Sequence, residues 1–145
     1  MKINIKNLSN FMSPYLNQEF KQDRFEFTSI DISDDKKNLI ALVDLTDHAL
    51  SSDGNFHLSA ITNARIAGQL AIIYIFYCLG IPKNREIWQV TDNWEFKKPI
   101  TKLTDIKYDI KNISLFEKSL GSFYNFSITV EDKSFMGKTS YLKPK

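Results

Sequence analysis

The stretch "NFHLSAITNARIAGQLAIIY" (residues 55–74) opens polar and turns greasy. His57 and Ser59 stand at its head, and Asn63, Arg65 and Gln69 are spread through its middle. From Leu70 to Leu79 every residue is apolar or aromatic. Gly80 then supplies the backbone freedom that stops a helix, and Pro82 prevents continuation. The pattern predicts a helix over residues 59–79, about 30 Å long at 1.5 Å per residue. Ser59 or Asp53 is suited to cap its start. A helix whose second half is apolar on every side has to be enclosed by other elements. The rest of the chain must therefore supply an apolar wall.

Period-two alternation supplies it. Upstream, Phe25 and Phe27 alternate with Glu26 and Thr28, which predicts a strand over residues 24–33. The polar turn "SDDKKN" follows, then "LIALVDL" from Leu39 as a second, more buried strand, so the pair reads as a hairpin. Residues 46–55, "TDHALSSDGN", form a polar loop. After Pro82 the chain reads as strand throughout. "EIWQVTDNWEF" places Trp88, Val90, Trp94 and Phe96 on one face. Ile106, Tyr108 and Ile110 alternate with charged residues, as do Tyr124, Phe126, Ile128 and Val130 with polar ones, and "EDKS" turns into "SFMGKTSYL". The expected order is two strands, one helix, then four strands in a meander, with the greasy face of the sheet curled around the helix. That is an α+β chain with a curved antiparallel sheet of about six strands wrapped around one long central helix. Residues 1–145 read as a single domain, with residues 1–22 as a leading arm marked by a turn at Ser13-Pro14.

Composition narrows the function classes. A net charge of +2 with no basic run gives no grip on nucleic acid. The lone Cys78 excludes an internal disulfide and a cysteine-built zinc site, and no metal or cofactor is expected. The first twenty residues lack the apolar core of a signal peptide. The longest apolar run, residues 70–79, is about half of the roughly 20 residues that span a bilayer. The expectation is a cytoplasmic protein with no membrane span.

This order of elements is similar to that of the hot-dog fold. "WEFKKPI" (residues 94–100) resembles the Phe-x-x-Pro signature that ends the strand after the helix in that superfamily, and "FSITVEDKSFMGKTSYL", with Gly137, resembles its closing hairpin. Within the superfamily, "FHLSAITNARIAGQLA" looks most like the start of the central helix in FcoT-type long-chain acyl-CoA thioesterases. His57, Ser59, Ala60, Ile61 and the Gln69-Leu70-Ala71 triplet fit that pattern. It departs at Thr62, where an acidic residue belongs, and at Ala64 and Gly68, where asparagines belong; Asn63 is the helix asparagine that remains.

The resemblance implies an acyl thioesterase acting on acyl-CoA or acyl carrier protein, with the thioester carbonyl at the helix N-terminus. There the unpaired backbone N–H groups and the helix dipole favour a developing oxyanion. It further implies a homodimer, or a dimer of dimers, joined at sheet edges. Candidate catalytic residues are His57, Gln69, Asn63 and Asp53. Candidate substrate contacts are Ser59, Ala60, Ile61, Thr62, Arg65, Lys97 and Lys98. Each has a plainer reading: Ser59 as a cap, Asp53 as a turn residue, Asn63 and Gln69 as satisfied polar contacts, Arg65 at an interface or in solvent, the lysines in solvent. The helix carries no Asp or Glu, and the position fourteen residues after His57 is Ala71 rather than a carboxylate, which disfavours ordinary dehydratase chemistry. A dehydratase-like enzyme, with His57 as base and an acid such as Asp53, and a non-catalytic acyl-binding protein stand as alternatives.

Overall fold

The computed structural model describes residues 23–145, so the expected arm over residues 1–22 lies outside the described residues. The first hairpin forms where the alternation places it: β1 (Arg24–Ile32) pairs antiparallel with β2 (Asn38–Asp47). Its turn is closed by its own side chains. Ser33 Oγ donates to Asp35 Oδ1 at 2.6 Å, and the Lys37 N–H donates to the same oxygen at 3.0 Å. Leu39, Ala41, Val43 and Leu45 of β2 are all buried.

The helix α1 (Ala60–Leu79) follows. Ser59 is its cap, with Oγ accepting the Thr62 N–H at 3.1 Å. At the far end Gly80 takes the left-handed conformation at φ 66°. Its N–H reaches Tyr77 O at 3.0 Å and the Ile81 N–H reaches Phe76 O at 3.4 Å, closing the last turn. By length and composition α1 could span a bilayer, but it is half buried in this structure and serves as the core helix. Ile66, Leu70, Ala71, Tyr74 and Ile75 are its buried stripe.

The stripe meets β4 (Ile106–Lys118), β5 (Gly121–Val130) and β6 (Phe135–Pro144), whose alternate residues Tyr108, Ile110, Phe126, Ile128 and Tyr141 join the same core. With β3 (Trp88–Phe96) they form one six-stranded antiparallel sheet in the order β1-β2-β4-β5-β6-β3. The expected four-strand meander is corrected here. Only β4, β5 and β6 follow one another in space, while β3 crosses to the far edge and pairs with β6.

Two burial expectations are corrected as well. An edge strand has one neighbour and the helix covers the middle of the sheet, so β3 is open: Trp88 is 59% exposed and Phe96 49%. A register shift between Gln89 and Thr91 also breaks the expected single face, because Trp88 pairs with Leu142 and Trp94 with Gly137, five positions apart on β6. Among the described residues the helix is likewise enclosed by the sheet on one side. Ile61, Tyr77 and Leu79 are exposed, with Ile72 and Ile73 half-buried beside them.

Gly137 marks the closest approach between β3 and β6. A Cβ built on it would lie 2.7 Å from the Trp94 ring. Gly137→Ala is expected to lower stability by about 1 kcal/mol, the low end of overpacking costs, since the partly buried Trp94 on an edge strand can tilt aside. Urea unfolding checks this; an unchanged midpoint would mean the ring does not rest on the glycine.

Candidate active site

Two anchored neighbours hold His57 in place. Phe56 and Leu58 are buried, and the Leu58 N–H donates to Ile100 O at 2.8 Å. His57 between them stays partly exposed and lines a cavity of about 260 Å³. Ser59 and Ala60 line it from the helix side; Phe96, Lys97, Lys98 and Pro99 line it from the end of β3. The Phe-x-x-Pro segment is therefore a wall of this cavity as well as a mark of the fold. Its two lysines are fixed through the backbone, with the Lys97 and Lys98 N–H groups donating to Ser134 O at 2.8 and 3.3 Å. Both line the cavity, because the strand ends at Phe96 and the side-chain alternation of a strand does not apply beyond it.

The helix start borders this space through Ser59 and Ala60. Ser59 Oγ takes the Thr62 N–H, and Ser59 O takes the Asn63 N–H at 2.9 Å. The N–H groups of Ala60 and Ile61 are the first-turn donors left without a partner among the described residues. No acidic side chain occupies that turn, so its positive potential is not offset from within the helix.

The structure separates the remaining candidates from this cavity. Thr62 is 3% exposed and donates from Oγ1 to Asp23 Oδ2 at 2.7 Å, so it faces inward rather than toward a ligand. Arg65 donates from Nη1 to Asp23 O at 2.8 Å and lies 5.5 Å from the Phe25 ring centroid, tying the helix to β1. Asn63 is fully buried and accepts from the Tyr108 hydroxyl at 2.9 Å. It is a core residue, three positions beyond the open end and on the sheet side. Burial pushes the Tyr108 phenol well above its ordinary range, so it serves there as a hydrogen-bond donor.

Gln69 is exposed and lines a different cavity of about 540 Å³, with Ile72, Ile73, Phe76 and Tyr77. It lies about 14 Å along the helix from Ala60 at 1.5 Å per residue. Within one chain His57 and Gln69 cannot address the same atom. Ile61 is 55% exposed on the first turn and does not line the cavity.

Asp53 lines a cavity of about 520 Å³ that also touches His57. Its carboxyl accepts the Ser51 hydroxyl and the Asn55 N–H, the latter at 2.9 Å, and the pair holds its pKa down to about 2. A carboxylate so stabilised closes a turn and is a poor general base near neutrality. Among the described residues no group of His, Cys, Asp and Glu is arranged to hold a metal.

Sequence reasoning passed over Asp23, which is 9% exposed and joins β1 to the helix start, and Tyr108, the partner of Asn63. Both contacts span about forty positions or more of chain, and local spacing carries no signal for them.

No family model and no curated protein sequence matches the chain. Solved structures do. A candidate thioesterase of Lactococcus lactis superposes with a TM-score of 0.60 at 13% identity, covering 83% of this chain and 94% of its own. A Streptococcus mutans protein, solved bound to acetyl-CoA, gives 0.54 at 12% identity, covering 90% and 98%. A thioesterase of Haemophilus influenzae gives 0.56 at 12% identity, covering 98% and 91%. Likeness at such identity speaks to architecture. The chain has the hot-dog fold.

Proposed function

We propose that this hot-dog protein is an acyl thioester hydrolase acting on acyl-CoA or acyl-carrier-protein substrates. One observation carries the reading: the start of the helix, through Ser59 and Ala60, borders a cavity that His57 also lines. The solved structures named as thioesterases, and the one holding acetyl-CoA, support the substrate class. A thioester carbonyl placed there gains two backbone donors as its oxygen becomes negative, each worth about 3–4 kcal/mol in a dry site. His57 sits at hand to orient water or to move its proton. Lys97 and Lys98 suit the phosphates of CoA or the acidic face of a carrier protein, although Lys97 also pairs loosely with Glu95 at 3.6 Å. The half-buried apolar helix face through Ile72 and Ile73 offers a track for an acyl chain.

The dehydratase reading needs an acid or base beside His57, and the nearby Asp53 is held too far down to serve well. The non-catalytic reading loses ground because the helix start is open to the cavity rather than sealed. Incubation with a panel of acyl-CoA and acyl-carrier-protein thioesters, following free thiol and loss of water together, tests the proposal. Thiol release alone is the expected result; dehydration of a 3-hydroxyacyl thioester without thiol release would replace it.

The exposed β3 edge, with Trp88, Val90 and Phe96 open to solvent, is where we place a homodimer contact. Light scattering at micromolar concentration is expected to give twice the chain mass or four times it. A stable monomer would overturn the edge-to-edge pairing.

A further inference from the structure

The helix α1 holds no carboxylate of its own. The structure brings one in from elsewhere. Asp23, just ahead of β1, is 9% exposed, and both of its carboxylate oxygens are engaged: Oδ1 accepts the Ala49 N–H at 2.8 Å and Oδ2 accepts the Thr62 hydroxyl at 2.7 Å. Arg65 clamps its backbone oxygen at 2.8 Å, so the group is fixed against the first helical turn.

A carboxylate can only accept, and that sets the direction of every bond behind it. Thr62 must spend its proton on Asp23, so Thr62 Oγ1 is left as an acceptor. Ser59 Oγ, 3.1 Å away, fills that role as donor. Ser59 Oγ also accepts the Thr62 N–H, which leaves it one lone pair. Ser59 lines the cavity beside His57. The hydroxyl nearest the reaction space is therefore oriented as an acceptor, at the end of a one-way chain that finishes on a buried anion.

We propose that Asp23 and Thr62 are positioning residues that turn Ser59 into the acceptor for the attacking water. The proposal rests on the thioesterase reading above. As the water oxygen bonds to the thioester carbon, its proton passes to Ser59 Oγ, the Ser59 proton to Thr62 Oγ1, and the Thr62 proton to Asp23 Oδ2. When the tetrahedral species collapses, the C–S bond breaks with its electron pair on sulfur. The proton returns along the same chain to the thiolate, so acid and thiol form and Asp23 is regenerated.

Four variants test the chain. Thr62→Val removes the hydroxyl at constant shape, Thr62→Ser keeps it, Asp23→Asn removes the charge, and Ser59→Gly removes the side chain while retaining much of the capping preference. The expected result is a fall in kcat of about 10²-fold in the Thr62→Val, Asp23→Asn and Ser59→Gly proteins alike, at the low end for a general base, with KM little changed. Thr62→Ser should restore turnover, and the Asp23→Asn, Thr62→Val double variant should be no slower than either single one. Thermal unfolding of each confirms the fold; should Asp23→Asn fail to fold, the Thr62 pair decides. A Thr62→Val protein with full kcat, or a Thr62→Ser protein as slow as Thr62→Val, overturns the chain. A wild-type protein that releases no thiol from any thioester overturns the hydrolase reading itself, and the two failures are told apart by the wild-type rate.

Discussion

The His57→Ala protein is expected to hydrolyse acyl thioesters about 10²–10⁴-fold more slowly than wild type, the range over which a positioned acid or base contributes. The loss should be incomplete. The oxyanion donors proposed at Ala60 and Ile61 are backbone groups and would survive the change, so catalysis above the rate in water should persist. The segment should stay anchored, because the buried Phe56 and Leu58 and the Leu58 N–H bond to Ile100 O are unchanged in the variant. Purified variant and wild type, compared by thiol release at saturating substrate, give the answer. A silent variant would remove His57 from the chemistry and leave the Ser59 chain to act alone.

Gln69 belongs beside this test as its control. Sequence spacing groups it with His57, because both sit in a pattern similar to that of FcoT-type enzymes. Nine helical rises separate it from Ala60, and its cavity is lined by Ile72, Ile73 and Tyr77 rather than by the first turn. A slow Gln69→Ala protein would point to a site completed by the helix of a second subunit, where this distance no longer applies.

What the residues announce and what they conceal divides along chain separation. The helix, its Gly80 stop and the alternation of β1, β4 and β5 are local patterns, and each appears where its period places it. So does the cluster of His57, Ser59 and Ala60, because consecutive residues at a helix start cannot be far apart. The path of β3 is not local. Its pairing with β6 joins residues 39 to 54 positions apart, and period two looks the same in a central strand and at an edge. The open Trp88 and Phe96 are the consequence. Side-chain direction within the helix is also hard to read: Asn63 and Thr62 lie within two positions of Ile61, yet they point at the sheet and at Asp23 while Ile61 points at solvent. Polar atoms of this stripe are buried against partners on distant segments of the chain, Asp23 for Thr62 Oγ1 and Tyr108 for Asn63 Oδ1.

Asn63 carries the second large effect, and it falls on stability rather than on turnover. The residue is 0% exposed, its Oδ1 holds the Tyr108 hydroxyl at 2.9 Å, and Tyr108 is itself fully buried. Asn63→Ala leaves that hydroxyl without its acceptor in the core and removes buried volume as well. An orphaned buried group costs about 1–3 kcal/mol and the space left behind adds to it, so a total of roughly 3 kcal/mol is expected. Tyr108→Phe should cost less, because it removes the group whose desolvation has to be offset, while leaving Asn63 in need of a new partner. The double variant is the informative one. With donor and acceptor both gone, the polar penalty disappears, and the combined loss should fall well short of the sum of the single losses. Urea unfolding of the four proteins measures this coupling, and hydrolysis by the folded Asn63→Ala protein should proceed at close to the wild-type rate. A protein of unchanged stability that has lost turnover would instead return Asn63 to the catalytic site. That would require the amide to reach the cavity at the helix start, which its bond to Tyr108 prevents.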